Sequence, residues 1–134
     1  MKTYVLDTSA LLAFLEDKPA AQKVDELLAE AMRGRAQILM SAVNYGEVYG
    51  KILRDYGADR ARVTIRGVYP LPIAVLDATA ARALLAAEVK VKYKLYYADS
   101  FTAALCFENK ATLVTSDSDF RRLGHSFPVI WLKP

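Results

Sequence analysis

Short apolar runs alternate with longer segments of helical periodicity along the chain. The runs predicted to be strands are residues 2–6, 37–40, 71–76, 111–115 and 128–132. The segments predicted to be helices are residues 9–16, 20–33, 41–56, 58–67, 79–91 (or from 77), 97–108 and 118–123. Strands that alternate with helices are joined by right-handed crossovers and form a mainly parallel sheet with helices on both faces. The pattern therefore predicts an α/β fold.

Acidic residues stand at four points of this pattern. Asp7 follows the first strand, Asp117 follows the strand at 111–115, Asp99 opens a helix, and Glu47 lies inside one. In an open α/β sheet, side chains at the carboxyl ends of the strands gather in one crevice. Carboxylates that converge without basic partners repel one another and favour a compensating cation, and Mg²⁺ prefers such oxygen ligands. The sequence therefore indicates a metal-dependent enzyme that acts on a phosphate-rich substrate.

Three of these acids also have a purely structural interpretation. Asp7 and Asp117 could cap the helices that follow them. Asp99 could be a first-turn acid that the helix dipole favours. For each residue taken alone, this interpretation competes with a role in a metal site.

Glu47 lies between two glycines, Gly46 and Gly50, inside a predicted helix. Each glycine costs the helix about 1 kcal/mol relative to alanine. Such a pair is expected where a substrate or another backbone must approach closely. The alternative is a notch for helix packing, with a solvated glutamate beside it.

The composition limits the number of domains and the class of protein. With 134 residues, of which 54% are hydrophobic and 25% charged, residues 1–134 are predicted to form one globular domain. The sequence has no apolar stretch long enough to span a membrane and no signal peptide. A single cysteine, Cys106, favours a reducing cytoplasm. The net charge of +3 suits a polyanionic partner, although composition alone favours an ordinary solvated basic surface.

The acids lie in four short segments, which are residues 5–12 (VLDTSALL), 41–48 (SAVNYGEV), 97–100 (YADS) and 115–120 (TSDSDF). Together these segments resemble the PIN-domain ribonucleases, and within them the VapC-type toxins of type II toxin–antitoxin systems. The resemblance follows the whole chain in order. It implies a three-layer α/β/α sandwich that cleaves single-stranded or loop RNA and is inhibited by a cognate antitoxin protein.

The resemblance also implies roles for particular residues. The proposed catalytic and metal-binding acids, around Mg²⁺ or Mn²⁺, are Asp7, Glu47, Asp99 and Asp117, with Asp119 as a further metal ligand. Hydroxyl groups that orient these acids are expected at Thr8, Ser9 and Thr115. A divalent ion can activate water for phosphodiester hydrolysis, so that no protein nucleophile is required.

Basic and aromatic residues alternate just before Asp99. Lys92, Tyr93 and Lys94 form a mixture that can bind phosphates and stack on the bases of single-stranded RNA. The alternative is the solvated end of a helix, with tyrosines that pack inward. Arg121 and Arg122 follow Asp117 and are further candidates for phosphate contacts.

Three further functions compete with that of a toxin. A phosphotransferase or phosphatase with an aspartate nucleophile is disfavoured, because position 9 is serine where a second acid is expected. A free-standing PIN-domain nuclease for RNA processing would use the same acids. A non-catalytic protein-interaction module would not need them.

The helices carry more apolar residues than one small sheet can cover, which predicts binding to other chains. These residues lie in the alanine-rich helix at 78–91 and at Leu11, Leu12, Leu15, Leu27 and Leu28. They predict a homodimer and a groove that accepts an antitoxin helix.

Overall fold

The computed structural model describes residues 1–133. The strands are β1 (Lys2–Leu6), β2 (Ala36–Ser41), β3 (Ala74–Leu76), β4 (Thr112–Thr115) and β5 (Val129–Trp131). The α-helices are α1 (Thr8–Leu15), α2 (Ala21–Met32), α3 (Ala42–Tyr56), α4 (Ala58–Arg66), α5 (Ala80–Tyr93) and α6 (Tyr97–Asn109). A 3-10 helix, Ser118–Leu123, follows β4.

The five strands form one sheet in the order β3-β2-β1-β4-β5, and every pairing is parallel. Val5 at the centre of the sheet is in register with Leu39 on one side and Leu113 on the other. In sequence order, β2 and β3 are added on one side of β1, and β4 and β5 are then added on its other side. The gap between the carboxyl ends of β1 and β4 is therefore the topological switch point, where sheets of this type bind ligands.

Side chains of the strands alternate between two cores. Val5, Leu39 and Leu113 pack with α5 and α6 on one face, whereas Leu6 and Ile38 pack with α1 and α2 on the other. Because successive residues of a strand point to opposite faces, the apolar strands can serve both layers. The three-layer α/β/α sandwich that the sequence predicted is confirmed.

A third apolar cluster holds α3 against α1. Leu11 of α1 and Met40 of β2 contact Val48 and Ile52 of α3, and Ala61 of α4 completes the cluster. This packing fixes the position of the helix that carries Glu47.

Two elements differ from the sequence prediction. Because Pro72 lacks an N–H, the strand predicted at 71–76 is expected to start slightly later than residue 71. It spans only Ala74–Leu76, since the chain still turns at residues 71–73, where the Ile73 amide donates to the Leu71 carbonyl (2.8 Å). Helix α5 continues to Tyr93, and Lys94 ends it in a left-handed conformation. No helix within residues 1–133 combines the length and the apolar character that crossing a bilayer requires.

The expectation of surplus apolar surface on the first two helices is wrong in part. Leu11, Leu27 and Leu28 are buried within the chain's own cores, and Leu12 and Leu15 are half-buried. These residues cover the sheet and the side of α3.

Helix α5 does carry exposed apolar residues. Leu84 is 71% exposed and Val91 is 80% exposed, and they are seven residues apart, two turns along one face of the helix. The dimer prediction therefore depends on this helix alone.

Candidate active site

Asp7 occupies the turn between β1 and α1 and is only 3% exposed. One carboxylate oxygen accepts hydrogen bonds from the Ser9 hydroxyl (2.7 Å) and the Ala10 amide (2.9 Å). The other accepts one from the Thr115 hydroxyl (2.5 Å). Burial raises the pKa of Asp7 from 3.8 to about 6 in spite of these three donors, which lower it, and the negative charge of Asp117 raises it further.

Ser9 and Thr115 connect the first turn of the chain to the loop after β4. The Ser9 hydroxyl accepts a bond from the Ser116 amide (3.0 Å) and lies 3.3 Å from the Thr115 hydroxyl. The Thr115 hydroxyl accepts one from the Asp117 amide (2.9 Å). Both hydroxyls contact Asp7 as the resemblance implied, and both also position the loop that carries Asp117.

Asp99, Asp117 and Asp119 converge at the same end of the sheet. One carboxylate oxygen from each of the three lies within 4.8 Å of the others. The pKa of Asp99 is raised from 3.8 to about 7, first by burial and then by the charges of Asp117, Asp7, Glu47 and Asp119. The other four predicted acids are therefore close enough to raise the pKa of Asp99 through their charges.

Glu47 approaches the cluster from α3, where its carboxylate accepts a hydrogen bond from the Thr8 hydroxyl. Thr8 thus orients Glu47, and its hydroxyl is not among the three donors to Asp7. On either side of Glu47, Gly46 and Gly50 are exposed, and a Cβ at either position would meet no atom within 4 Å. The helix-packing notch is therefore wrong, because nothing in the described chain packs on these glycines.

Two of the acids do cap helices, as the structural interpretation predicted, but capping does not prevent them from binding a metal ion. Asp7 caps α1, and Asp117 caps the 3-10 helix by accepting from the Asp119 amide (2.9 Å). A cap occupies only part of a carboxylate, which offers about four acceptor positions. Each capping acid keeps oxygen lone pairs for a further ligand.

Sequence reasoning missed Asn44. It is 0% exposed, and its amide donates to the Thr8 hydroxyl (3.4 Å) and to the Ala98 carbonyl (3.0 Å). Its carbonyl accepts a bond from the hydroxyl of Thr102 (2.8 Å), which is also fully buried. The available signal was an asparagine within an otherwise apolar helix face, three residues before Glu47 and hence on the same side.

Few basic side chains contact the acid cluster. Over residues 1–133, the one ion pair that involves any of the five acids joins Arg122 to Asp119 at 3.8 Å, with both side chains partly solvated. A pair of this kind contributes little. The donor set is thus a group of carboxylates with adjoining hydroxyls, which fits a hard divalent cation such as Mg²⁺ or Mn²⁺.

Three of the predicted RNA contacts lie at the end of α5. The Tyr93 ring stacks on Phe107, with ring centroids 6.0 Å apart, and the Lys92 ammonium lies 5.3 Å from the centroid of the Tyr93 ring. The carbonyl of Lys94 accepts a hydrogen bond from Arg122 (3.0 Å). Tyr93 therefore packs inward, as the structural alternative predicted, while Lys92 and Lys94 remain exposed.

The two arginines of the 3-10 helix point in different directions. Arg121 lies over the Trp131 ring, 5.3 Å from its centroid, at the edge of the sheet. Arg122 lies between Asp119 and the carbonyl of Lys94, beside the acids. Of the predicted RNA-binding residues, Arg122 is the one whose side chain contacts the cluster within the described chain.

The model of the PIN domain family matches residues 4–126 of this chain. The chain belongs to the PIN domain family. No curated protein sequence matches this PIN domain at a significant level.

Solved structures of toxin–antitoxin proteins share the fold of this PIN domain. VapBC2 from Rickettsia felis, bound to a DNA fragment from its promoter, has a TM-score of 0.75 and 17% identity, over 98% of this chain and 99% of that chain. VapBC-1 from nontypeable Haemophilus influenzae has a TM-score of 0.71 and 18% identity, over 96% and 97% of the two chains. VapC20 from Mycobacterium tuberculosis, a toxin that cleaves the sarcin-ricin loop, has a TM-score of 0.71 and 19% identity, over 90% and 95%. This PIN domain therefore has the VapC fold.

Proposed function

We propose that this PIN domain is a Mg²⁺- or Mn²⁺-dependent endoribonuclease that cleaves single-stranded or loop RNA and acts as the toxin of a toxin–antitoxin pair. The observation that carries the proposal is the convergence of Asp99, Asp117 and Asp119, whose carboxylate oxygens lie within 4.8 Å of one another, near the topological switch point. The charges of Asp7 and Glu47 also act on Asp99, and one weak ion pair joins the acids to the described basic residues. Such an arrangement is destabilising without a cation, and the folded chain gains stability from binding one.

Asp7, Glu47, Asp99 and Asp117 are proposed to hold the ion and to position the phosphodiester, with Asp119 as a further ligand. Three donors fix the carboxylate of Asp7, and one of its oxygens accepts only the Thr115 bond, which leaves that oxygen a free lone pair. Ser9 and Thr115 therefore act by orienting Asp7.

Asp99 is proposed to exchange a proton for the ion. Because its pKa is near 7 in the metal-free protein, the carboxyl is partly protonated at neutral pH and must lose that proton when a cation binds. The bound ion would supply the Lewis acidity that phosphodiester hydrolysis requires. Arg122, beside Asp119, is proposed to contact an RNA phosphate that enters the cluster.

The biological assignment draws on the structural neighbours. They include VapBC complexes and a toxin that cleaves an RNA loop, which supports an antitoxin partner and an RNA substrate here. A homodimer in the cytoplasm is proposed with the same role. A free-standing RNA-processing nuclease would share the chemistry but would not arrest the growth of a host cell.

The proposal is tested with the protein purified free of other chains. The wild type should cleave a single-stranded RNA in Mg²⁺ or Mn²⁺ and stop in EDTA. Asp99→Asn should lose at least about a hundredfold in rate while it keeps the circular dichroism spectrum of the wild type, because it removes a ligand charge and almost no volume. Asp25→Asn, an exposed change on α2, is the matched control and should cleave normally.

Two results would contradict the proposal. Cleavage that continues in EDTA would exclude a metal mechanism. Equal cleavage by the wild type and Asp99→Asn would assign the activity to a contaminant and favour the protein-interaction module instead.

A further inference from the structure

A buried chain of hydrogen bonds crosses the interior beneath the acid cluster. The Thr102 hydroxyl donates to the carbonyl oxygen of Asn44, the Asn44 amide donates to the Thr8 hydroxyl, and Thr8 donates to the carboxylate of Glu47. Asn44 and Thr102 are 0% exposed, so that water does not compete for the Thr102–Asn44 and Asn44–Thr8 bonds, both of which are buried. Every donor in the chain points toward Glu47.

Each partner of Asn44 adjoins an acid of the cluster. Thr8 directly follows Asp7, and Ala98, whose carbonyl accepts the second Asn44 bond, directly precedes Asp99. Thr102 lies one turn after Asp99 on α6. A single side chain on α3 thus joins α1 and α6, and the acids Asp7, Glu47 and Asp99 lie on or next to these three helices.

We propose that Asn44, held by Thr102, is a positioning residue that acts through Thr8 to fix the Glu47 carboxylate beside the acid cluster, so that Glu47 can contribute to the binding of a divalent cation there. The inference depends on the metal-dependent function proposed above and assigns a role to residues that touch neither ion nor RNA.

The physical reason is the directionality of the network. Apolar side chains of similar size would fill the same space, and replacing both partners of a buried hydrogen bond by apolar groups of the same shape can be nearly neutral for stability. Packing alone, however, does not select one rotamer of a glutamate on a neighbouring turn. Hydrogen bonds that all point one way and end on a carboxylate do select it, and they are strongest when that carboxylate is charged.

The test measures the affinity for Mn²⁺ directly, from the electron paramagnetic resonance signal of the free ion during a titration of the apo protein. Thr102→Val replaces the hydroxyl by a methyl group, keeps the volume and leaves the Asn44 carbonyl without its donor. We expect the dissociation constant to rise about tenfold, as is typical when a partner behind a metal ligand is removed. Asn44→Ala should weaken binding at least as much.

Two controls separate positioning from packing. Thr102→Ser keeps the hydroxyl and loses a buried methyl group, so it should recover most of the affinity although it loses stability. Leu28→Ala removes a buried side chain from α2 that belongs to the separate apolar cluster with Val24 and Ile38, away from α3 and α6. It should lower the melting temperature and leave the dissociation constant within about twofold of the wild type.

The outcomes are distinct. If the wild type binds Mn²⁺ and Thr102→Val binds it equally well, the positioning role is wrong and the proposed function stands. If Thr102→Ser weakens binding as much as Thr102→Val, the residue acts through packing and the inference is overturned. If the wild type binds no Mn²⁺ even at millimolar concentration, the proposed function and the inference fall together.

Discussion

Replacing Asp7 by asparagine should stabilise the metal-free protein at neutral pH, although it removes a buried and fully hydrogen-bonded side chain. The carboxylate is 3% exposed, and its burial outweighs three donors, so that its pKa rises from 3.8 to about 6. Asparagine keeps an oxygen for Ser9 and Ala10 and caps a helix as well as aspartate does. It carries no charge that must be buried.

The sign and the size of the change in the free energy of unfolding follow from proton linkage at Asp7. Between pH 3.8 and about 6 the folded state holds a proton that the unfolded state has released, so stability falls as the pH rises through this window. At about 1.4 kcal/mol per pH unit, Asp7 accounts for about 3 kcal/mol of lost stability above pH 6. The variant lacks this loss, and its free energy of unfolding relative to the wild type should therefore increase by about 2.5 kcal/mol between pH 4 and pH 7.5, because a small part of the loss has already occurred at pH 4.

Urea denaturation in EDTA at these two pH values measures the quantity. The comparison across pH cancels any constant cost of the new amide, for example a weaker bond to Thr115. Asp25→Asn, at an exposed position on α2, is measured alongside as the control for the change in net charge. A difference between Asp7→Asn and the wild type that stays constant from pH 4 to pH 7.5 would refute the argument, because the donors would then offset burial completely.

Two further predictions concern exposed positions. Gly50→Ala should raise the free energy of unfolding by about 1 kcal/mol, since a Cβ there meets no atom within 4 Å, yet it should slow RNA cleavage if the substrate approaches this face. A melting curve and a cleavage assay on the same sample test both parts, and unchanged cleavage would contradict the close approach. Light scattering at high micromolar concentration should show a dimer, and either Leu84→Glu or Val91→Glu should dissociate it. Val63→Glu, at an exposed position on α4, is the control and should leave the dimer intact. A wild-type monomer at this concentration would contradict the prediction.

The strands, the helices and the place of the acids could be predicted from the sequence because each depends on local patterns. Apolar periodicity indicates the alternation of elements, and the parallel sheet then requires that residues after β1 and β4 meet. Helix α3 lies within one residue of the predicted range 41–56. It begins after Ser41, whose hydroxyl accepts from the Val43 amide (3.2 Å), and ends at Gly57, which has a φ of 85°.

The features that the sequence did not reveal depend on distant partners. The three side-chain and backbone partners of Asn44 are 36, 54 and 58 residues away, so nothing near it in the chain indicates that it is satisfied when buried. Whether an apolar residue stays exposed depends on which distant element packs over it. The burial of Leu27 and Leu28 therefore does not follow from local periodicity. The inward packing of Tyr93 likewise depends on its neighbour Phe107.

The central position of β1 has a consequence for synthesis of the chain. Asp7 is made almost first, yet the hydroxyl of Thr115 that completes its surroundings comes 108 residues later, and β1 pairs with β4 only then. At about 5–20 residues per second, a ribosome needs roughly 5–20 s to cover that distance. Throughout that interval the growing polypeptide has no complete acid cluster, so we expect it to be harmless to the RNA of the ribosome that makes it.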